Sequence, residues 1–169
     1  MADSIDLLST IVEFSIGLAG FSGVVGIFLR RSGDWAYVDR FRLTNLLIMS
    51  LMPGFLAFFA LGLLQTLTPQ HSMQVAAAAF VASVALTLIF IPRARSRVPE
   101  EDKHLVGLTI FVPMSATFAA ILLLQALVAL SVIEKHAFLV YYFSLVVVLF
   151  LAVVQFARII LARPSQASN

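Results

Sequence analysis

The sequence contains no cysteine and few charged residues, and both shortages restrict its chemistry. Without cysteine the chain forms no disulfide and offers no thiolate as a nucleophile or as a ligand for zinc or iron–sulfur clusters. Charged residues make up only 12% of the 169 residues and hydrophobic residues 61%, whereas about a quarter of the residues in a soluble domain are charged. This composition predicts an integral membrane protein.

The motifs of common enzymes are also missing. The sequence has no glycine-rich phosphate loop ending in lysine, no HExxH metal motif and no pair of histidines inside one apolar segment. Its short clusters of arginine fit anionic lipid headgroups more simply than nucleic acid. We therefore expect a protein without enzymatic activity, cofactor or metal ion, and without a nucleic-acid partner.

Five apolar segments are long enough to cross a membrane. A helix needs about 20 mostly apolar residues to cross the roughly 30 Å hydrocarbon layer, where only intrahelical hydrogen bonds satisfy the backbone. The sequence therefore predicts an all-α integral membrane protein, in which residues 1–163 form a single bundle of five transmembrane helices and residues 164–169 form a disordered tail. The predicted spans are 7–29, 43–67, 73–91, 105–130 and 137–161.

The basic residues lie almost entirely at one end of these spans. The loops and tail at that end, together with the last turn of the fifth span, carry ten arginine and lysine residues, whereas the opposite loops carry only Lys135. Basic loops stay on the cytoplasmic side of a membrane. The pattern therefore predicts an N-terminus outside, a cytoplasmic C-terminus and a multi-pass protein of a bacterial cytoplasmic (inner) membrane. The ten residues are Arg30, Arg31, Arg40, Arg42, Arg93, Arg95, Arg97, Lys103, Arg158 and Arg163.

Glu13 is the only acidic residue well inside a predicted span. A carboxyl group in the hydrocarbon layer costs a few kcal/mol to insert and needs water, a partner or a proton, so its presence points to ion or proton handling. A purely structural hydrogen bond to a neighbouring helix is the alternative. Ser144 and Gln155 lie on one side of the fifth helix, because a separation of eleven residues leaves them only about 20° apart around the axis. With Gln125 of the fourth helix, they complete the predicted ion or proton path.

Small residues occupy two sides of the first helix. Small side chains at four-residue spacing let helices approach closely, so a helix with two such sides is expected to pack on both, inside the chain or between subunits. One side lies beside Glu13 and the other lies nearly opposite. The predicted helix-packing residues are Gly17 and Gly20 on the first side, and Ser15, Ala19, Gly23 and Gly26 on the second.

Two prolines and one basic loop are further candidate features. Pro53, which precedes Gly54, and Pro113 lie near the middle of their spans, where a proline removes a backbone hydrogen bond and kinks the helix. We interpret these kinks as static, because they are common in membrane helices. The basic loop is predicted to contact anionic lipid headgroups through Arg93, Arg95 and Arg97.

These features favour a small homo-oligomeric channel or pore-like protein that passes ions or protons past Glu13. One bundle of five helices is barely wide enough for a conduction path, so symmetry between subunits would help to form it. The alternative is a non-catalytic accessory or assembly subunit that docks on a larger membrane complex through the glycine-rich first helix. The expected partners are membrane lipids, including anionic headgroups, together with either identical or different membrane subunits.

Overall fold

Helices are the regular secondary structure of the described part of the chain. The computed structural model describes residues 2–29, 37–95 and 108–161, and these residues contain five helices and no strand. The helices are α1 (Ala2–Leu29), α2 (Tyr37–Thr66), α3 (Pro69–Arg95), α4 (Leu108–Ala129) and α5 (Ala137–Leu161).

Four of the five helices are long and apolar enough to span a membrane. Among the described residues, α4 carries a shorter apolar stretch, Pro113–Ala129. The prediction of an all-α protein with membrane-length apolar helices is therefore confirmed for four helices. The fifth crossing and the orientation stay predictions. The four membrane-length stretches are Asp3–Ile27, Arg40–Thr66, Pro69–Ile89 and Ala137–Leu161.

Three helices extend beyond their predicted spans. α1 begins five residues before the predicted boundary, α2 begins six residues before it, and α3 is longer at both ends. The apolar pattern marks only the part that suits hydrocarbon, whereas backbone hydrogen bonding continues into the polar flanking turns. Pro69 suits the first turn of α3, where its missing N–H leaves no helical bond unmade. α5 begins and ends at the predicted residues, and the predicted tail at 164–169 lies outside the described residues.

The centre of the bundle combines two large rings with very small side chains. The rings of Phe80 and Tyr141 meet edge to face, with their centroids 6.2 Å apart. Both residues are fully buried, and so are the alanines of α2 and α3 around them. Small side chains let helix backbones approach closely, which increases dispersion contact where no hydrophobic effect operates. The fully buried alanines are Ala57, Ala60, Ala76 and Ala77.

Side chains also fix the connections between the helices. The Ser72 hydroxyl of α3 donates to the Leu63 carbonyl of α2 over 2.9 Å. The same carbonyl also accepts the Leu67 N–H over 2.8 Å, so the hydroxyl adds a link between the two helices. α4 ends where Ser131 adopts a left-handed backbone with φ 62°, and Val132 N–H bonds to the Leu127 carbonyl. This pattern is a Schellman cap, in which glycine is the usual residue. Here the Gln74 amide donates to the Ser131 hydroxyl over 2.6 Å.

Candidate functional site

Glu13 lies on the exposed side of α1. Of the four membrane-length stretches, the one in α1 is the least buried inside the bundle, at 22% against 33–44% for the others. Gly17, Gly20 and Val24 are exposed with Glu13, and at 100° per residue the four lie within about 60° around the helix. We call these four residues the Glu13 face. Nothing lies within 4 Å of where Cβ atoms would stand on its two glycines.

The carboxyl group is also deep along the helix. At 1.5 Å per residue, Glu13 lies about 17 Å along the axis from Ala2, close to the middle of the stretch Asp3–Ile27. The residues that surround the Glu13 face on the exposed side of α1 are large and apolar: Phe14, Ile16, Phe21 and Ile27. An acidic side chain and two exposed glycines thus interrupt an otherwise apolar surface.

The opposite side of α1 packs on α2. Ser15, at this contact, is 1% exposed, and a Cβ on Gly54 of α2 would stand 2.7 Å from the Cβ of Ser15. Closer to the end of the helix, a Cβ on Gly26 would stand 2.7 Å from a methyl carbon of Leu43. Gly23 is half-buried and has open space around it. The two small sides of α1 therefore differ, because α2 fills one and no described residue of this chain covers the other.

Gln125 and Ser144 form a buried polar pair between α4 and α5. The Gln125 amide donates to the Ser144 hydroxyl over 2.8 Å and to the Val140 carbonyl over 3.3 Å. The Ser144 hydroxyl donates in turn to the same carbonyl over 2.8 Å. Gln125 is fully buried, so the pair lies inside the bundle and holds two helices together.

Gln155 makes a second polar contact between the same two helices. Its amide nitrogen lies 3.0 Å from the sulfur of Met114, a weak acceptor. The polar side of α5 thus faces α4 at both Ser144 and Gln155. Glu13 is not among the partners of these groups in the part of the chain that the structure describes. Of the four residues predicted to form one path, the structure brings Gln125 and Ser144 together and places Glu13 on the outer surface.

Tyr141 is a structural polar residue that sequence reasoning missed. Its hydroxyl donates to the Leu56 carbonyl of α2 over 2.8 Å, and the side chain is fully buried. The sequence pattern could have indicated this role, because Tyr141 lies three residues before Ser144 and seven before Val148. This spacing places all three on the polar, buried side of α5. The hydrogen bond joins α5 to α2 just beyond the Pro53–Gly54 step.

Three buried polar atoms lack a hydrogen-bond partner among the described residues: the Ser15 hydroxyl, the Asn45 amide oxygen and the Gln125 amide oxygen. The Asn45 amide nitrogen contacts the Met49 sulfur at 3.7 Å. The Ser15 hydroxyl oxygen lies 3.1 Å from where a Cβ on Gly54 would stand, so it is enclosed by the α1–α2 contact. None of the three atoms belongs to the Glu13 face.

The predicted lipid-contacting arginines are described only in part. Arg93 is exposed at the end of α3, where its guanidinium donates to the Ile89 carbonyl over 3.2 Å. The side chain of Arg95 and all of Arg97 lie outside the described residues. At the same end of the bundle, Arg40 is exposed and Arg42 is half-buried near the start of α2.

Residues 2–29, 37–95 and 108–161 contain no group of three or more histidine or acidic side chains placed to hold a metal ion. His71 lies in the first turn of α3, where its Nδ1 is 2.7 Å from the Thr68 hydroxyl. His136 is exposed in the turn before α5, and His104 lies outside the described residues.

Comparison with known proteins identifies no family for this chain. No protein-family model, no curated protein and no solved structure matches the chain. The functional interpretation therefore rests on the site itself.

Proposed function

We propose that the protein is one subunit of a homo-oligomeric pore that passes ions or protons across a bacterial cytoplasmic membrane, with the Glu13 face of each subunit towards the shared path. All five helices cross the membrane in this proposal, with the N-terminus outside and the C-terminus in the cytoplasm. The observation that carries it is the position of Glu13, exposed in the middle of a membrane-length helix beside two glycines.

An acidic side chain is costly where the surface of a bundle meets lipid. Insertion of a charged residue at the centre of a membrane helix costs roughly 2.5–3.5 kcal/mol on insertion scales. The energetic cost falls if the carboxyl group meets water or a polar partner. Since no described residue of this chain gives Glu13 a polar partner, a neighbouring subunit or a hydrated gap between subunits is the expected environment.

The closed interior of the bundle favours a path between subunits over a path within one subunit. Phe80 and Tyr141 fill the centre, and the Gln125–Ser144 pair is joined by a hydrogen bond inside the protein. On the Glu13 face, by contrast, Gly17 and Gly20 leave space next to the carboxyl group. Copies arranged in a ring with this face inward would line a narrow gap with one acid per subunit.

Replacement of Glu13 by glutamine tests the proposal, because the amide keeps the size of the side chain and removes its charge. The measurement is ion and proton flux through purified protein in vesicles. We expect Glu13→Gln to lower cation or proton flux while the oligomer persists. Glu134→Gln is the matched control, because Glu134 is exposed in the turn before α5. Equal flux for the wild-type protein and Glu13→Gln contradicts the role of the carboxyl group.

The same exposed face favours a second candidate, a non-catalytic subunit docked on a different membrane protein. Exposed glycines can pack against a helix of a different protein or of an identical subunit, because small residues let helix backbones approach closely in either case. Ala19, on the opposite side of α1, is buried inside this chain, so Gly20 is the position to enlarge. In this second case Gly20→Leu would release a different polypeptide from the complex extracted in mild detergent, and no closed ring of identical chains would be found.

A further inference from the structure

A groove on the outside of the bundle runs between α2 and α3. Its volume is about 470 Å³, and it is open towards the surroundings of the bundle. The lining is apolar apart from one hydroxyl at each side, Thr44 on α2 and Ser83 on α3. The six apolar lining residues all come from α2: Leu47, Ile48, Leu51, Met52, Phe55 and Leu56.

The dimensions of the groove suit a single acyl chain. Its lining on α2 extends from Thr44 to Leu56, about 18 Å at 1.5 Å per residue. One leaflet of the hydrocarbon layer is roughly 15 Å thick. Leu51 and Phe55 are exposed within the membrane-length part of α2, so a lipid in the bilayer has direct access to the groove.

An arginine side chain lies beyond the end of the groove that is nearer the membrane surface. Arg40 is exposed one helical turn before Thr44, and four-residue spacing places both on the face of α2 that carries Leu51 and Phe55. Arg93 lies at the corresponding end of α3, so the ends of both helices that flank the groove are basic. A positive surface next to an acyl-sized groove matches an anionic headgroup on a hydrocarbon tail.

We propose that the α2–α3 groove binds an anionic phospholipid, with one acyl chain along Leu47, Leu51 and Phe55 and the phosphate at Arg40. The bound lipid belongs to the leaflet at the arginine-bearing end of the bundle. Glu13 takes no part in this site, so the lipid proposal can be tested independently of the pore proposal.

Native mass spectrometry of the purified protein in a neutral detergent tests the site. The probes are phosphatidylglycerol, which is anionic, and phosphatidylcholine with the same acyl chains, which is zwitterionic. We expect one retained phosphatidylglycerol per chain at concentrations where phosphatidylcholine is not retained. Arg40→Gln is expected to weaken phosphatidylglycerol binding about fivefold, the effect of one surface charge near an anionic lipid. Lys135→Gln, at the opposite end of the bundle, is the charge-matched control and is expected to leave binding unchanged.

A second pair of variants tests the acyl chain separately from the headgroup. Leu51→Trp places a large ring in the groove, whereas Leu86→Trp places the same ring at an exposed position of α3 that does not line it. We expect the first variant to lose the bound lipid and the second to retain it. Equal retention of both lipids by wild-type protein would overturn the proposal, as would unchanged binding in Arg40→Gln and Leu51→Trp. Displacement by glycerol phosphate at equal concentration would also overturn it, because the site would then bind phosphate and not a lipid.

Discussion

The contact of Ser15 with Gly54 allows a sharp test of how α1 packs on α2. A Cβ on Gly54 would stand 2.7 Å from the Cβ of Ser15, whereas carbon atoms pack best at 3.5–4.0 Å. Gly54→Ala therefore forces the helices about 1 Å apart at this point. The obstructing atom is a Cβ, fixed to the backbone, so no side-chain rotation relieves the clash.

The expected change in the free energy of unfolding follows from comparison with a second glycine of α2. Insertion of one carbon into a tight contact costs typically 1–3 kcal/mol, while alanine in place of glycine inside a helix gains roughly 0.5–1 kcal/mol. Gly62 is exposed, with nothing within 4 Å of its Cβ position. Gly62→Ala therefore causes no clash and has only the stabilising effect of alanine in a helix. The free energy of unfolding should consequently be about 1–3 kcal/mol lower for Gly54→Ala than for Gly62→Ala.

Reversible unfolding in mixed micelles, followed by circular dichroism, measures this difference. Ser15→Gly removes the obstructing Cβ, so the double variant Ser15→Gly/Gly54→Ala should recover stability, with a coupling energy of about 1 kcal/mol or more. Equal stabilities for Gly54→Ala and Gly62→Ala, together with no coupling between positions 15 and 54, would refute the close α1–α2 contact.

Two further substitutions test the polar and backbone features of the bundle by the same unfolding measurement. Tyr141→Phe removes the hydrogen bond to the Leu56 carbonyl and should lower the free energy of unfolding by about 0.5–1.5 kcal/mol; no change would exclude that bond. Ser131→Val puts a β-branched residue at φ 62° and should lower the free energy of unfolding by about 1–2 kcal/mol. Equal effects of Ser131→Val and the exposed control Val132→Thr would contradict the left-handed cap.

The fold class could be predicted from composition and apolar length because a bilayer restricts the choice of structure so strongly. α5 has a run of apolar residues flanked by polar sequence on both sides, and its predicted and observed limits agree. α1 begins five residues before its predicted span, because Asp3 and Asp6 precede the apolar segment that starts at Leu7 and yet belong to the helix. A hydropathy pattern reports where hydrocarbon ends and says little about where hydrogen bonding ends.

The arrangement of the candidate site depended on which helix faces which, and periodicity alone does not provide that. Small residues on two sides of α1 were visible in the sequence, yet only the structure places Ser15 against Gly54 and leaves Gly17 exposed. The Gln125–Ser144 pair was likewise visible as two polar residues in separate spans. Their hydrogen bond depends on the packing of α4 on α5, since a polar residue in lipid forms a hydrogen bond with whichever partner helix packing brings close to it.

The most direct test of the pore proposal is whether the Glu13 faces of neighbouring subunits lie next to each other around the shared gap in the native membrane. The chain has no cysteine, so a single Val24→Cys variant gives an unambiguous cross-linking site, with Phe150→Cys on the exposed side of α5 as the control. Disulfides form only where Cα atoms come within about 7 Å. We expect oxidation to give a homodimer with Val24→Cys and little with Phe150→Cys. Equal cross-linking of the two variants would contradict the proposed arrangement of subunits.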